Sequence, residues 1–315
     1  SVLSEALGSL LAMIGFIIML GAALGEILTK TGVAEYIVIT FMKKIGINTE
    51  RKAIVAVMIT SCILVALLGT LAGANAIIAP IVIPLVASVG ITPSTLAAIF
   101  QGAGQTGLFI GPYSPQVVTL MEVTGISYGA YLVSVGLPLA ILCWIITFIM
   151  AQQIQKNTRN IYVYEDREVI DENYSPTDEA KRATLVFFIS LIALVVYGII
   201  NKSGSSYAIV VMFITAFLTG IAGKLKLNDI INAIIKGTSK MTSLFIMFVL
   251  FHPFITFIQE VGAFDALVEL FQPLIKTGNK VLFSLVVTIT GVFGVGGAAV
   301  AETVLLNDLF SKIVS

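Results

Sequence analysis

Gly69-Thr-Leu-Ala-Gly-Ala-Asn75 is a glycine-rich break at the end of an apolar run that begins at Ala53. A second break, Gly291-Val-Phe-Gly-Val-Gly-Gly-Ala-Ala-Val-Ala-Glu302, interrupts another apolar segment far downstream and ends in a carboxylate. A chain that crosses lipid must pair its backbone N–H and C=O groups internally. Irregular backbone at that depth therefore needs cover from protein or from a water-filled cavity. Two such breaks in corresponding positions of two repeats point to the binding site of a secondary transporter.

The rest of the chain agrees with a membrane setting. Of its 315 residues, 57% are hydrophobic and 11% charged, with a mean hydropathy of +1.02. Soluble domains carry about 25% charged residues. The fold class expected is an all-α polytopic membrane protein, with inverted repeats, broken helices and re-entrant hairpins. A net charge of zero gives no reason to expect a nucleic-acid partner. Cys62 and Cys143 sit in apolar segments and read as small core residues, without metal-ligand spacing. There is no Walker A sequence, no Ser/His/Asp constellation and no His-based metal motif, so neither a primary pump nor an enzyme is expected, and no cofactor.

A spanning helix needs about 20 mainly apolar residues. Segments 7–28, 53–70, 130–151, 183–200, 206–223, 241–259 and 280–300 meet that test. Region 71–129 is apolar but punctuated by glycine and proline, and reads as broken helices and re-entrant pieces. Lysine and arginine concentrate in connectors 30–52, 152–182 and 224–240, which the positive-inside rule places in the cytoplasm. On this count no lysine or arginine falls in the interior of a span, Lys280 standing at the first position of the last. Glu26, at the cytoplasmic end of the first span, reads as interfacial. The chain divides into a first transmembrane repeat, 1–151, a cytoplasmic connector, 152–182, and a second repeat, 183–315, expected to be incomplete. The lipid bilayer is the surrounding partner.

Two stretches resemble each other. Thr31-Gly-Val-Ala-Glu-Tyr-Ile leads through Lys43-Lys-Ile-Gly46 into the run that meets Gly69; Val261-Gly-Ala-Phe-Asp-Ala-Leu leads through Leu274-Ile-Lys-Thr-Gly278 into the run that meets Gly297. Glu35 follows Gly32 by the same interval at which Asp265 follows Gly262. The charge count puts the two connectors on opposite sides, which is inverted topology.

Candidate binding residues cluster at the breaks. Thr70, Gly73 and Asn75 lie where glycine frees backbone groups and a helix start offers N–H donors and partial positive charge to an anion. Gln101, Gln105, Thr106 and Ser114 occur in Gln101-Gly-Ala-Gly-Gln-Thr-Gly-Leu-Phe-Ile-Gly-Pro-Tyr-Ser-Pro115, a stretch without charge. Its neutral donors and acceptors suit a carboxylate or polyhydroxy ligand. For the coupling ion the candidates are Glu302, Thr303, Gly297 and His252, the sole histidine. An ionisable group inside the membrane is a functional-site hypothesis by default. Each has a plainer alternative: glycine-mediated helix packing, an extracellular loop, or a histidine that bonds a neighbouring helix.

The motifs Thr31-Gly-Val-Ala, Gly69-Thr-Leu-Ala-Gly-Ala-Asn-Ala, Pro80-Ile-Val-Ile-Pro84, Gly90-Ile-Thr-Pro93 and Gly111-Pro-Tyr-Ser-Pro115 resemble the ion transporter superfamily. That group holds gluconate permeases, citrate–proton symporters, anaerobic dicarboxylate carriers and NhaC-type sodium–proton antiporters. The resemblance implies a bacterial inner-membrane, multi-pass carrier, a homodimer, with two hairpins meeting at the substrate. Hairpin tips in that group carry Ser/Thr-Asn-Thr-like sequences. Thr70 to Asn75 matches in part, and the second copy has Glu302-Thr303 instead.

The function expected is H⁺- or Na⁺-coupled symport of a small organic anion, a sugar acid or a di- or tricarboxylate, with Na⁺ as an optional coupling ion. The alternative is a Na⁺/H⁺ antiporter without organic substrate, built on Glu302.

Overall fold

The computed structural model describes residues 2–164, 176–201, 203 and 206–262, and a few positions beyond. The helices are α1 (Val2–Leu7), α2 (Leu10–Lys30), α3 (Val33–Ile45), α4 (Glu50–Leu68), α5 (Leu71–Ala87), α6 (Pro93–Ile110) and α7 (Pro115–Thr124). After them come α8 (Tyr128–Tyr131), a π-helical turn (Leu132–Gly136) and α9 (Leu137–Thr158). The chain continues with α10 (Asp178–Ile200), α11 (Tyr207–Ala222), α12 (Leu227–Ser239) and α13 (Thr242–Glu260). Among the described residues there is no strand, and the long apolar helices make this an all-α polytopic membrane protein.

Helix starts follow from local chemistry. Ser9, Thr49, Thr70, Thr92, Ser127 and Thr177 each cap a helix by accepting a backbone N–H in the first turn. Gly69 and Gly125 end α4 and α7 in the left-handed region, at φ of +66° and +70°, where a side chain would be strained.

Two ends of the bundle can be told apart. At the basic end, Glu50 pairs with Arg159, and Gln155 donates to the Gly90 carbonyl at 2.8 Å and accepts from the Thr92 N–H at 3.1 Å. Lys224 pairs with Glu179 there as well. Both feet of the α4–α5 hairpin therefore stand at this end. Its tip, Leu68–Thr70, meets α2 halfway along: a Cβ on Gly21 would lie 2.3 Å from the Leu68 carbonyl oxygen. Segment 53–70 has the length and apolarity of a span, and it forms one arm of a hairpin that turns back at Gly69. Length and apolarity are the same for an arm sheathed by other helices and for a span.

α6 rises from the basic end beside α4. Gly104 and Gly107 face Ser61, Cys62 and Val65 so closely that a Cβ would come within 3.1 Å of each helix's atoms, and Gly102 abuts Thr147 of α9. This close approach explains why α6 stays regular through a glycine-rich sequence that reads as a break. The break proper is Gly111–Ser114, after which α7 carries on toward the opposite end. Ring hydroxyls of Tyr128 and Tyr131 donate to the Ile110 and Phe109 carbonyls there, at 2.6 and 2.9 Å.

In the second half, α10 runs away from the basic end and α11 returns. α12 and α13 meet at a 54° bend and together have the length and apolarity of one broken span or re-entrant loop. Connector 224–240, expected in the cytoplasm, is in large part α12, and α12 packs along α2: a Cβ on Gly237 would lie 2.4 Å from the Ala23 Cα. Ile230, Ala233 and Gly237 are its buried face, spaced at the helical period. α2 thus touches α11, α12 and α13 as well as the hairpin.

Of the second sequence copy, its start and a few scattered positions after it are described. Gly262 has φ +72°, as does its counterpart Gly32. In both, the carbonyl accepts from the N–H four residues on, Tyr36 at 3.0 Å and Ala266 at 3.1 Å. The second break, with Gly297 and Glu302, lies outside the described residues.

Candidate functional site

The two breaks of the first half meet. A Cβ on Gly69 would come within 2.9 Å of the Tyr113 carbonyl, and one on Gly111 within 2.7 Å of the Ala66 carbonyl. The hairpin tip and the α6–α7 break are therefore stacked, and only glycine allows it at both contacts. Ser114, which starts α7, is fully buried, and its Oγ has no hydrogen-bond partner among the described residues. The same holds for Gln116 Oε1. An unpaired buried polar atom costs about 1–3 kcal/mol, and Trp144, Tyr164, Thr215 and Thr219 carry such atoms as well.

A cavity lies on each side of this junction. One, of about 320 Å³, is bounded by Tyr113, Glu122, Tyr128, Ser203 and Tyr207, at the end opposite the basic one. The other, of about 560 Å³, is bounded by Glu26, Thr70, Gly73, Pro80, Lys236 and Lys240 and lies on the basic-end side. Between them stand Leu68 to Thr70, pressed on Gly21 and Tyr113.

The larger cavity holds the charge. Glu26 is only 7% exposed, yet it accepts from the Lys236 ammonium at 2.7 Å through Oε1 and from Lys240 at 2.8 Å through Oε2. The lysine side chains are 63% and 55% exposed. They lie four residues apart, one turn of α12 and its C-terminal cap, and so project together. Opposite them, α5 begins in the cavity wall. Thr70 Oγ1 accepts from the Gly73 N–H at 3.2 Å, and α5 presents Gly73, Ala76, Ile77 and Pro80 along one face. Two ammonium groups and a helix start converge on a space the size of a small ligand.

Of the residues singled out from sequence, Thr70 and Gly73 line this cavity. Asn75 does not; its Oδ1 accepts from Ser61 at 3.4 Å, toward α4. Thr106 is fully buried and donates to the Ala103 carbonyl at 2.5 Å and to Cys62 Sγ at 3.3 Å. Gln101 is exposed and Gln105 half-buried, both on the regular helix α6 and in neither cavity wall. Ser114 stands at the junction. His252, on α13, lines neither cavity. Thr303 is helical and half-buried.

Glu26, Lys236 and Lys240 were missed. Glu26 reads as interfacial because it falls one turn from the end of an apolar run. The lysines read as connector because a basic amphipathic segment scores like a cytoplasmic loop. The signal that separates them was present: Ile230, Ala233 and Gly237 repeat with the helical period, and the small residue invites close packing.

The DcuC family, described as the C4-dicarboxylate anaerobic carrier, matches residues 3–301. No curated protein matches the chain.

Proposed function

Since the chain belongs to the C4-dicarboxylate anaerobic carrier family, a family of transporters rather than enzymes, we propose that it is a secondary carrier that moves a four-carbon dicarboxylate across a bacterial cytoplasmic membrane in symport with H⁺ or Na⁺. The observation that carries this reading is the cavity beside the hairpin tip, where Lys236 and Lys240 face the start of α5. A dicarboxylate needs cationic or N–H partners for its oxygens, and this wall offers both kinds. Bonds to charged groups contribute about 1.5–3 kcal/mol each, more than neutral ones. The basic end faces the cytoplasm, following the lysine and arginine bias.

The junction of Gly69 with Tyr113 divides the cavity on one side from that on the other, so only one is open to a given face of the membrane. Transport then requires the hairpin and the α6–α7 break to part from α2 and reseal. Glycine contacts suit such a seam, since no side chains interlock there.

Reconstitution tests the reading. Proteoliposomes carrying the protein are expected to exchange labelled succinate for internal succinate, and external gluconate or lactate is expected to leave that exchange near its uncompeted rate. The Lys236→Ala, Lys240→Ala double variant is expected to raise the KM for succinate about 10- to 100-fold, in line with loss of one or two charged bonds. Failure of the unaltered protein to exchange succinate, with correct insertion shown by protease access, would overturn it.

A further inference from the structure

We propose that Glu26 is an exchangeable internal carboxylate: it occupies Lys236 and Lys240 in the unloaded carrier, and takes up the coupling proton when substrate displaces it. This rests on the dicarboxylate-carrier reading and names the coupling group of the same site.

The geometry has three parts. First, Glu26 holds both ammonium groups, one on each carboxylate oxygen, at 2.7 and 2.8 Å. A carboxylate doubly bonded in this way already has the pose that a substrate carboxylate would take. Second, Glu26 is buried to 7% exposure while both lysines are open to the cavity. An incoming anion reaches the ammonium groups first and competes with Glu26 for them. Third, the other groups facing this space cannot substitute for the lysines. α3 contributes Glu35, a further acid; α5 contributes no titratable group; α4 contributes Leu68; and Thr29 and Thr70 are neutral.

Charge then dictates the coupling. The unloaded cluster of Lys236, Lys240 and Glu26 has two positive charges and one negative, and Glu35 adds a further acid elsewhere in the same wall. A bound dianion balances both lysines and leaves Glu26 buried as an uncompensated anion. Buried charges without a partner are among the most costly groups in a protein. A proton from cavity water adds to the released Oε1 or Oε2, forming one O–H bond and leaving hydroxide to the aqueous side. The two lysines, the dianion and the protonated Glu26 then sum to zero charge. Release of substrate on the other side returns Glu26 to the lysines, and the proton leaves. The cycle carries one proton with each dianion and involves no redox step.

The test uses proteoliposomes of the full chain with an internal pH dye and radiolabelled succinate. Adding external succinate to the unaltered protein is expected to acidify the interior. With Glu26→Gln, accumulation driven by a pH gradient is expected to fall by about tenfold or more relative to succinate counterflow in the same vesicles, within the range of ordinary coupling factors. Glu26→Asp is expected to keep both. Succinate uptake by the unaltered protein without proton movement overturns the proposal, as does a Glu26→Gln carrier that still accumulates substrate under a pH gradient. Should Glu26→Gln fail to fold, seen as a lost monodisperse peak in detergent, the dye trace of the unaltered protein and the Glu26→Asp variant decide alone. Absence of succinate counterflow in the unaltered protein sinks the substrate reading instead, so the two failures are distinguishable.

Discussion

Helices α2 and α10 differ little in apolarity, yet the structure treats them in opposite ways. The most apolar stretch of α2 has a mean hydropathy of 2.2 and is 72% buried by other helices; that of α10 has 2.7 and is 22% buried. The continuous helix Tyr128–Thr158, at 2.5, is buried over only 17%. Hydropathy alone ranks them in the wrong order for burial. What distinguishes α2 is its small residues: Gly15, Gly21 and Gly25 admit α13, the hairpin tip and α5. By contrast, α9 presents Ile141, Ile145 and Ile149 outward, each more than half exposed, which suits contact with lipid. Burial in a membrane protein follows from what can approach closely, since lipid is as apolar as leucine and no hydrophobic force sorts the helices.

The strongest way to break this contrast is to add volume at equivalent glycines in the two regions. Gly237→Leu places a side chain against the Ala23 backbone, where even a Cβ would sit at 2.4 Å. It is expected to abolish folded protein and transport, because overpacking against backbone costs about 1–3 kcal/mol or more. Gly129→Leu has nothing within 4 Å of its Cβ and is expected to leave both the detergent elution profile and uptake near normal.

A charge sharpens it next. Ile145→Lys, on the outward face of α9 near its middle, is expected to destabilise by about 2.5–3.5 kcal/mol, the cost of lysine at a helix centre in the bilayer. Thermal unfolding in lipid nanodiscs would show it, and an unchanged midpoint would mean that this face lines water. The smallest effect is expected at the hairpin tip. Thr70→Ala removes the cap of α5 and is expected to cost about 0.5–2 kcal/mol, seen as a few-fold loss of uptake with intact folding, while Thr70→Ser keeps the acceptor and restores it.

Legibility divided along the same line. Gly69 and Gly111–Ser114 were readable as breaks, because glycine and proline act through local backbone chemistry that needs no neighbour. Thr70 and Gly73, picked out on that ground, line the larger cavity. Asn75 and Thr106 were chosen by type alone, and each bonds to α4 or to its own helix instead. Gln101 and Gln105 ride on a helix whose glycines serve close packing. Sequence windows see the number of glycines but not what each one faces.

By itself the sequence determined that this is a many-spanning helical membrane protein, that its backbone breaks at Gly69 and at Gly111–Ser114, and that it resembles carriers of small anions. Those properties follow from composition, length and turn chemistry, all local. Only the tertiary structure decided that α4 and α5 form a hairpin footed at one end, that α12 lies along α2, and that Glu26 meets Lys236 and Lys240 across more than two hundred positions of chain. An ion cluster of that kind has no local signature, because each member alone reads as a helix-end or connector charge; it exists only when small residues let two distant helices touch.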